Sequence, residues 1–189
     1  MNLVFQVVVT YISLAEAAAS MAQAYPSSTW SESVSQFLTG AKGKTLAVYT
    51  SPIFVAGVAT TFLGMVIRVM CFRELGKFFT YELAIRDKHK LVTSGPYSIV
   101  RHPSYTGLAL VYVGITCSAL AEGMWWTEYG VQQTLAGWAL WVSWWVVLIY
   151  TSFIGFRARK EDDMLHIEFG EEWEVYAKRV PCRYIPWLL

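Results

Sequence analysis

Between Lys90 and Gly107 the chain reads K-L-V-T-S-G-P-Y-S-I-V-R-H-P-S-Y-T-G, a dense set of Gly, Pro, His, Arg, Tyr and Ser flanked by long apolar runs. A segment that merely joins two apolar runs needs no such composition, so this one reads as a site. Ser94-Gly95-Pro96-Tyr97 is a turn signal. Arg101-His102-Pro103 is a second, because the residue before a proline is pushed out of helical geometry. Ser104 then stands where a helix N-cap belongs. The free N–H groups of such a helix start suit a carboxylate or a hydroxyl-rich ligand, and His102 and Tyr105 stand at the same place. A plain loop whose cations touch lipid phosphates would use the same residue types.

A second pair, Arg157 and Glu161, is spaced four apart and so shares one helix face. Arginine's planar fork can grip a carboxylate through two parallel hydrogen bonds, and a glutamate beside it can hold a polar or cationic ligand. The ordinary alternative is a surface ion pair worth roughly a few tenths of a kcal/mol. His89 precedes Lys90-Leu91-Val92 in a charged connector, where a histidine is usually solvated, and His166 sits on a tail helix. No H-E-x-x-H, paired-cysteine or aspartate-rich spacing suggests a metal. No G-x-G-x-x-G is present, which argues against a soluble Rossmann-type methyl-donor fold. Cys71, Cys117 and Cys182 are far apart and read as buried thiols rather than a disulfide framework.

The elements that must position these residues are membrane-sized. The chain has 189 residues, enough for one domain, and is 55% apolar and 15% charged, against about 25% charged in a soluble domain. A net charge of +1 suggests no nucleic-acid partner. Thr45 to Ile67, Ser104 to Ala121 and Tyr129 to Phe156 are 23, 18 and 28 residues without a charge. A helix needs about 20 apolar residues to cross the hydrocarbon core, and only helices satisfy their own backbone there. Leu3 to Ala24 is a fourth candidate, interrupted by Gln6 and Glu16, so Glu16 is expected to face other helices or lie near an end. Ala22-Gln23-Ala24 resembles a signal cleavage site, but no Lys or Arg precedes the apolar run, which favours a retained span. Ser27 to Lys44 reads as a polar connector.

The expected architecture is therefore an all-α integral membrane protein with about four transmembrane helices and a cytosolic C-terminal helical segment. Residues 1–45 supply the first span and its connector, and residues 46–189 form the core. Its spans lie at about 46–72, 104–121 and 129–156, with polar segments at 73–103 and 157–189. Thirteen of the fifteen Lys and Arg fall at 68–101 and 157–183, which places both segments in the cytosol. Trp30, Trp125, Trp126 and Trp187 lie near expected span ends, where amphipathic rings favour the headgroups. Trp138, Trp141, Trp144 and Trp145 fall within the last span and are expected to pack or to line a lipid-sized groove. In the tail, Arg157 to Glu168 reads as helix and Gly170 as a break. Glu171 to Arg179 reads as a second helix, with Trp173, Tyr176 and Val180 on one face and Pro181 as its stop.

Leu91-Val92-Thr93-Ser94-Gly95-Pro96-Tyr97, Arg101-His102-Pro103-Ser104-Tyr105-Thr106-Gly107, Arg157-x-x-x-Glu161-Asp162, Phe169-Gly170-Glu171-Glu172-Trp173 and Arg179-Val180-Pro181 follow one another in order. This series closely resembles the isoprenylcysteine carboxyl methyltransferase family over roughly the C-terminal two thirds of the chain. The resemblance implies a membrane enzyme, of the endoplasmic reticulum in eukaryotes, that uses S-adenosyl-L-methionine to methylate the C-terminal carboxylate of prenylated cysteine in CaaX-processed proteins. It implies that His89, Lys90, Leu91, Val92, Tyr97, His102, Pro103, Ser104, Tyr105 and Glu161 contact the cofactor and that Arg157 is the catalytic, substrate-side residue, with no metal. The acceptor carboxylate is ionised at neutral pH, so no general base is required. Many family members carry two Glu in the tail motif, and here the second is Asp162. Phe78 to Asp87 matches the family poorly, and Glu82 within it is one further candidate contact. Alternative readings are a phospholipid N-methyltransferase, an NADPH-dependent membrane reductase of the sterol type, and a non-catalytic protein that keeps the family's shell.

Overall fold

The computed structural model describes residues 3–39, 49–76, 90–128 and 134–187, and among them it is helical, with no β-strand. Eight α-helices follow in order: α1 (Leu3–Ala24), α2 (Thr29–Thr39), α3 (Pro52–Leu75), α4 (Pro103–Ala119), α5 (Trp125–Glu128), α6 (Leu135–Ser152), α7 (Ile154–Phe169) and α8 (Glu171–Arg179). A 3-10 turn, Gly95–Ser98, precedes α4. The chain forms two compact units. The first comprises Met1–Ala59 and Gly114–Thr151, the second Thr60–Val113 and Ser152–Leu189.

In the first unit, α1 carries Ala15, Ala19 and Ala22 on one face, and these small side chains are buried against Trp125 and Trp126. Ile12, Val34, Leu38 and Trp141 close the cluster. The two tryptophans expected at the headgroups are thus core residues, each 3% exposed. An alanine stripe leaves room that only a large ring fills, and the Trp126 ring also meets those of Trp125 and Trp141 edge-on. Glu16 faces another helix, as its charge requires, and accepts the Trp125 amide at 2.8 Å. The polar connector after α1 contains a helix, α2, held by Ser31, whose hydroxyl donates to the Ala22 carbonyl at 2.7 Å. Ser51 caps α3 by accepting the Phe54 amide, with Pro52 at the first helical position.

Helix α3 is the one helix among the described residues long and apolar enough to cross a membrane. Its large side chains, among them Phe62, Leu63, Met65, Val69 and Met70, are exposed. Its glycines instead face α4. In the second unit a Cβ on Gly64 would come within 2.5 Å of the Gly107 carbonyl oxygen, and one on Gly107 within 2.8 Å of the Gly64 carbonyl oxygen. Small residues at such a contact let two helix backbones meet with lipid on their outer faces. Gly64→Val is therefore expected to cost about 1–3 kcal/mol or more by overpacking. The check is a lower thermal midpoint in detergent, with Gly64→Ala intermediate.

The last expected span differs in its end. Helix α6 stops at Ser152, Phe153 forms a turn, and α7 starts at Ile154. Arg157 therefore lies in the first turn of a new helix. Helices α7 and α8 meet at Gly170 (φ 49°), as the break there predicted, and Tyr176 and Val180 are buried.

Candidate active site

The site lies wholly in the second unit. Helix α4 begins at Pro103, so the N-cap is His102 and not the expected Ser104. Proline at the first helical position needs no amide partner, and the His102 carbonyl accepts the Tyr105 amide at 3.1 Å. Ser104 instead anchors a side chain of α3, its carbonyl and hydroxyl oxygens accepting Arg68 Nη1 at 3.2 and 3.3 Å.

His102 is 5% exposed and sits between two acids of α7. Its Nε2 lies 2.9 Å from Asp162 Oδ1, and because a carboxylate only accepts, this nitrogen carries the hydrogen. Its Nδ1 lies 3.8 Å from Glu161 Oε2. The Tyr105 phenol, in the first turn of α4, donates to that same Glu161 oxygen at 3.0 Å and lies beside the His102 ring, with centroids 5.6 Å apart. Arg157 stands one turn before Glu161 and reaches the Tyr105 phenol.

Asp162 is the hub. Arg183 Nε donates to its Oδ2 at 3.1 Å, and Arg101 Nη1 lies 3.5 Å from the same oxygen. Burial works against its ionisation, but the hydrogen bond and charge of His102, the charge of Arg101 and the Arg183 hydrogen bond outweigh it. They leave the carboxyl below its ordinary pKa. Arg101 also packs over the Trp173 ring, 5.7 Å from its centroid.

Four successive carbonyls of the C-terminal segment strap the start of α4. Pro181 O accepts Arg101 Nη2 at 3.2 Å, Cys182 O accepts the Arg101 amide at 3.0 Å, Arg183 O accepts the His102 amide at 2.8 Å, and Tyr184 O accepts the Thr106 hydroxyl at 2.5 Å. Upstream, Ser94 donates to Glu74 at the end of α3, and the Tyr176 phenol donates to the Tyr97 carbonyl at 2.9 Å. Burial pushes the Tyr176 phenol up to about 12, so it stays a donor at neutral pH. The half-buried Tyr97 is raised by burial and by the neighbouring Cys71 and Glu161, and it too keeps its proton.

The fold thus brings His102, Pro103, Ser104, Tyr105, Arg157 and Glu161 together, with Tyr97 within the field of Glu161. It does not join Lys90, Leu91 or Val92 to them by any hydrogen bond or ion pair among the described residues. Lys90 is exposed, and Leu91 and Val92 are half-buried in irregular chain. His89 and Glu82 lie outside the described residues. Asp162, Arg101 and Arg183 also join this cluster, although sequence reasoning does not place them among the candidate contacts. Their signal was the neighbouring acid pair on α7 and the basic residues beside each proline turn.

The sequence model of the isoprenylcysteine carboxyl methyltransferase (ICMT) family matches residues 57–167, more than half of the chain and the segment that holds most of this cluster. The chain belongs to this family. Relatives include a probable protein-S-isoprenylcysteine O-methyltransferase of Oryza sativa subsp. indica, 31% identical over 129 residues, covering 66% of this chain and 56% of the rice protein. Protein-S-isoprenylcysteine O-methyltransferase B of Arabidopsis thaliana is 32% identical over 127 residues, covering 66% and 55%. The Delta(14)-sterol reductase ERG24A of Gibberella zeae is 30% identical over 115 residues, covering 52% of this chain and 24% of the reductase. The match thus spans little more than half the length of the two methyltransferases. No solved structure matches the chain.

Proposed function

We propose that this family member methylates the C-terminal carboxylate of prenylated cysteine in CaaX-processed proteins, drawing the methyl group from S-adenosylmethionine. The observation that carries the reading is the Tyr105–Glu161 hydrogen bond beside His102, with Arg157 one turn away. The donor set fits both reactants. Glu161, its side chain 38% exposed, offers negative charge to a cationic ligand, and Arg157 offers a fork to a carboxylate.

When bound, S-adenosylmethionine supplies an activated methyl group through its own positive charge. The remaining work is the chain's. Arg157 orients the acceptor carboxylate. Glu161, fixed by Tyr105, favours the cation. His102, locked by Asp162 and strapped by residue 183, holds the start of α4 in place. No residue needs to act as a base, since the acceptor is already an anion. The apolar exposed face of α3 and the clustering of basic residues support a membrane enzyme whose site faces the cytosol, in the endoplasmic reticulum if the source is eukaryotic.

The purified chain is expected to transfer labelled methyl from S-adenosylmethionine to N-acetyl-farnesylcysteine. Transfer no greater than that of a His102→Ala control would defeat the proposal. The similarity to a sterol reductase favours one second reading, a reductase using NADPH. Oxidation of NADPH with a sterol acceptor, in the absence of methyl transfer, would select it.

A further inference from the structure

The first unit contains an open pocket of about 470 Å³ lined by Glu16, Ser20, Gln23, Tyr49, Thr50 and Phe54, with Met124 also in its wall. Its volume suits an organic group rather than a bare ion, since ligand pockets run from about 300 to 1,000 Å³. Glu16 supplies its one carboxylate. Oε2 accepts the Trp125 amide, whereas Oε1 is buried and has no hydrogen-bond donor among the described residues. A buried carboxylate oxygen without a donor is costly, and a donor that carries positive charge offsets that cost best.

The walls narrow the choice. The aromatic residues Tyr49 and Phe54 line the same pocket as Glu16, an environment suited to a cation with an apolar skin. A divalent metal would want several hard oxygen ligands, and no group of three or more His, Cys, Asp or Glu is found among the described residues. Glu16 excludes an anion.

The walls are also fixed in place. The Tyr49 amide donates to the Gly123 carbonyl at 3.0 Å, and the Gly123 amide donates to Glu128 at 2.9 Å. Gly123 has φ +82°, and a Cβ there would come within 2.3 Å of the Tyr49 carbonyl oxygen, so only glycine permits this closure. Trp125 is tied through its indole to the Leu38 carbonyl at 3.1 Å. Apart from Met124, every lining residue precedes the segment that matches the family. We propose that this pocket binds an organic ammonium group, with Glu16 as its counter-charge, and that the ligand is an amine-bearing lipid headgroup or a free amine of the same chemistry.

The test uses the full chain in nanodiscs containing equal phosphatidylethanolamine and phosphatidylglycerol, with retained lipid read by native mass spectrometry. Wild type is expected to keep phosphatidylethanolamine over phosphatidylglycerol by about tenfold or more, the scale of one charge-assisted hydrogen bond. Glu16→Gln should abolish the preference. Thr50→Trp, which fills the pocket and leaves the carboxylate in place, should do the same and serves alone if Glu16→Gln does not fold. Ethanolammonium chloride is the second arm. A thermal shift with ethanolammonium and no lipid preference assigns the site to a soluble amine, provided that Thr50→Trp removes the shift. A lipid preference that ethanolammonium does not compete away assigns it to the lipid. Equal retention of both lipids with no thermal shift overturns the proposal, as does a preference that survives both variants.

Discussion

Asp162→Ala is expected to destabilise the chain by about 3–5 kcal/mol, the cost of removing one member of a buried charge network. The carboxylate is 4% exposed and holds His102, Arg183 and Arg101. Without it, the nearly buried Arg101 keeps its charge and loses its counter-ion. Arg183, with its side chain 41% exposed, turns to water and contributes little to the loss. Methyl transfer should fall with stability, because His102 is the N-cap that aims Tyr105 at Glu161. Asp162→Asn keeps the shape and separates charge from packing. Its signature is pH dependence. The folded Asp162 has a lowered pKa, so the stability it contributes is fully present above the unfolded carboxyl's value near 3.9 and is lost as pH falls through the folded value. The thermal midpoint of wild type should drop on acidification below about pH 4, and that of Asp162→Asn should drop less. Parallel curves would remove Asp162 from the charge network.

Arg157→Ala is expected to lower turnover of the prenylcysteine acceptor by about a hundredfold or more, the scale on which lost orientation and charge complementarity act. Binding of S-adenosylmethionine, measured by calorimetry, should persist. Arg157→Lys should rescue little, since a point charge cannot reproduce two parallel hydrogen bonds. The separation of the two readouts is the decisive feature. Loss of cofactor binding in Arg157→Ala would reassign the residue to the cofactor side.

Much of the candidate site was legible because its residues sit at proline and glycine turns that sequence chemistry marks. Arg101-His102-Pro103 marks where a helix starts, and the cap lies two residues before the expected Ser104. The error has a simple cause: proline tolerates the first helical position, so the helix begins at Pro103 itself and the cap moves back to His102. The i,i+4 spacing of Arg157 and Glu161 placed them on one face, and Tyr105 does reach Glu161. Asp162 was not legible as a hub, because its partners come from positions 60 and 21 residues away and no local rule joins them. For the fold, α1 and α4 agree with the expected apolar runs to within two residues. The break at Phe153 was hidden because the sequence stays apolar through it, and hydropathy cannot register a turn between two apolar stretches. The burial of Trp125 and Trp126 was hidden for a related reason. A tryptophan near a span end looks the same in sequence whether it meets headgroups or an alanine stripe.

The carbonyl strap over the start of α4 dictates an order of assembly. Arg101 and Thr106 find their acceptors 80 and 78 residues downstream. While the chain is being synthesised, α4 can pair with α3 through Gly64 and Gly107, but His102 has neither its acid nor its strap. The start of that helix is therefore the last part to set, after α7 and α8 have emerged and folded back. A chain stalled in translation before Pro181 would lack this strap, and the backbone and side-chain donors at the start of α4 would stay without their acceptors.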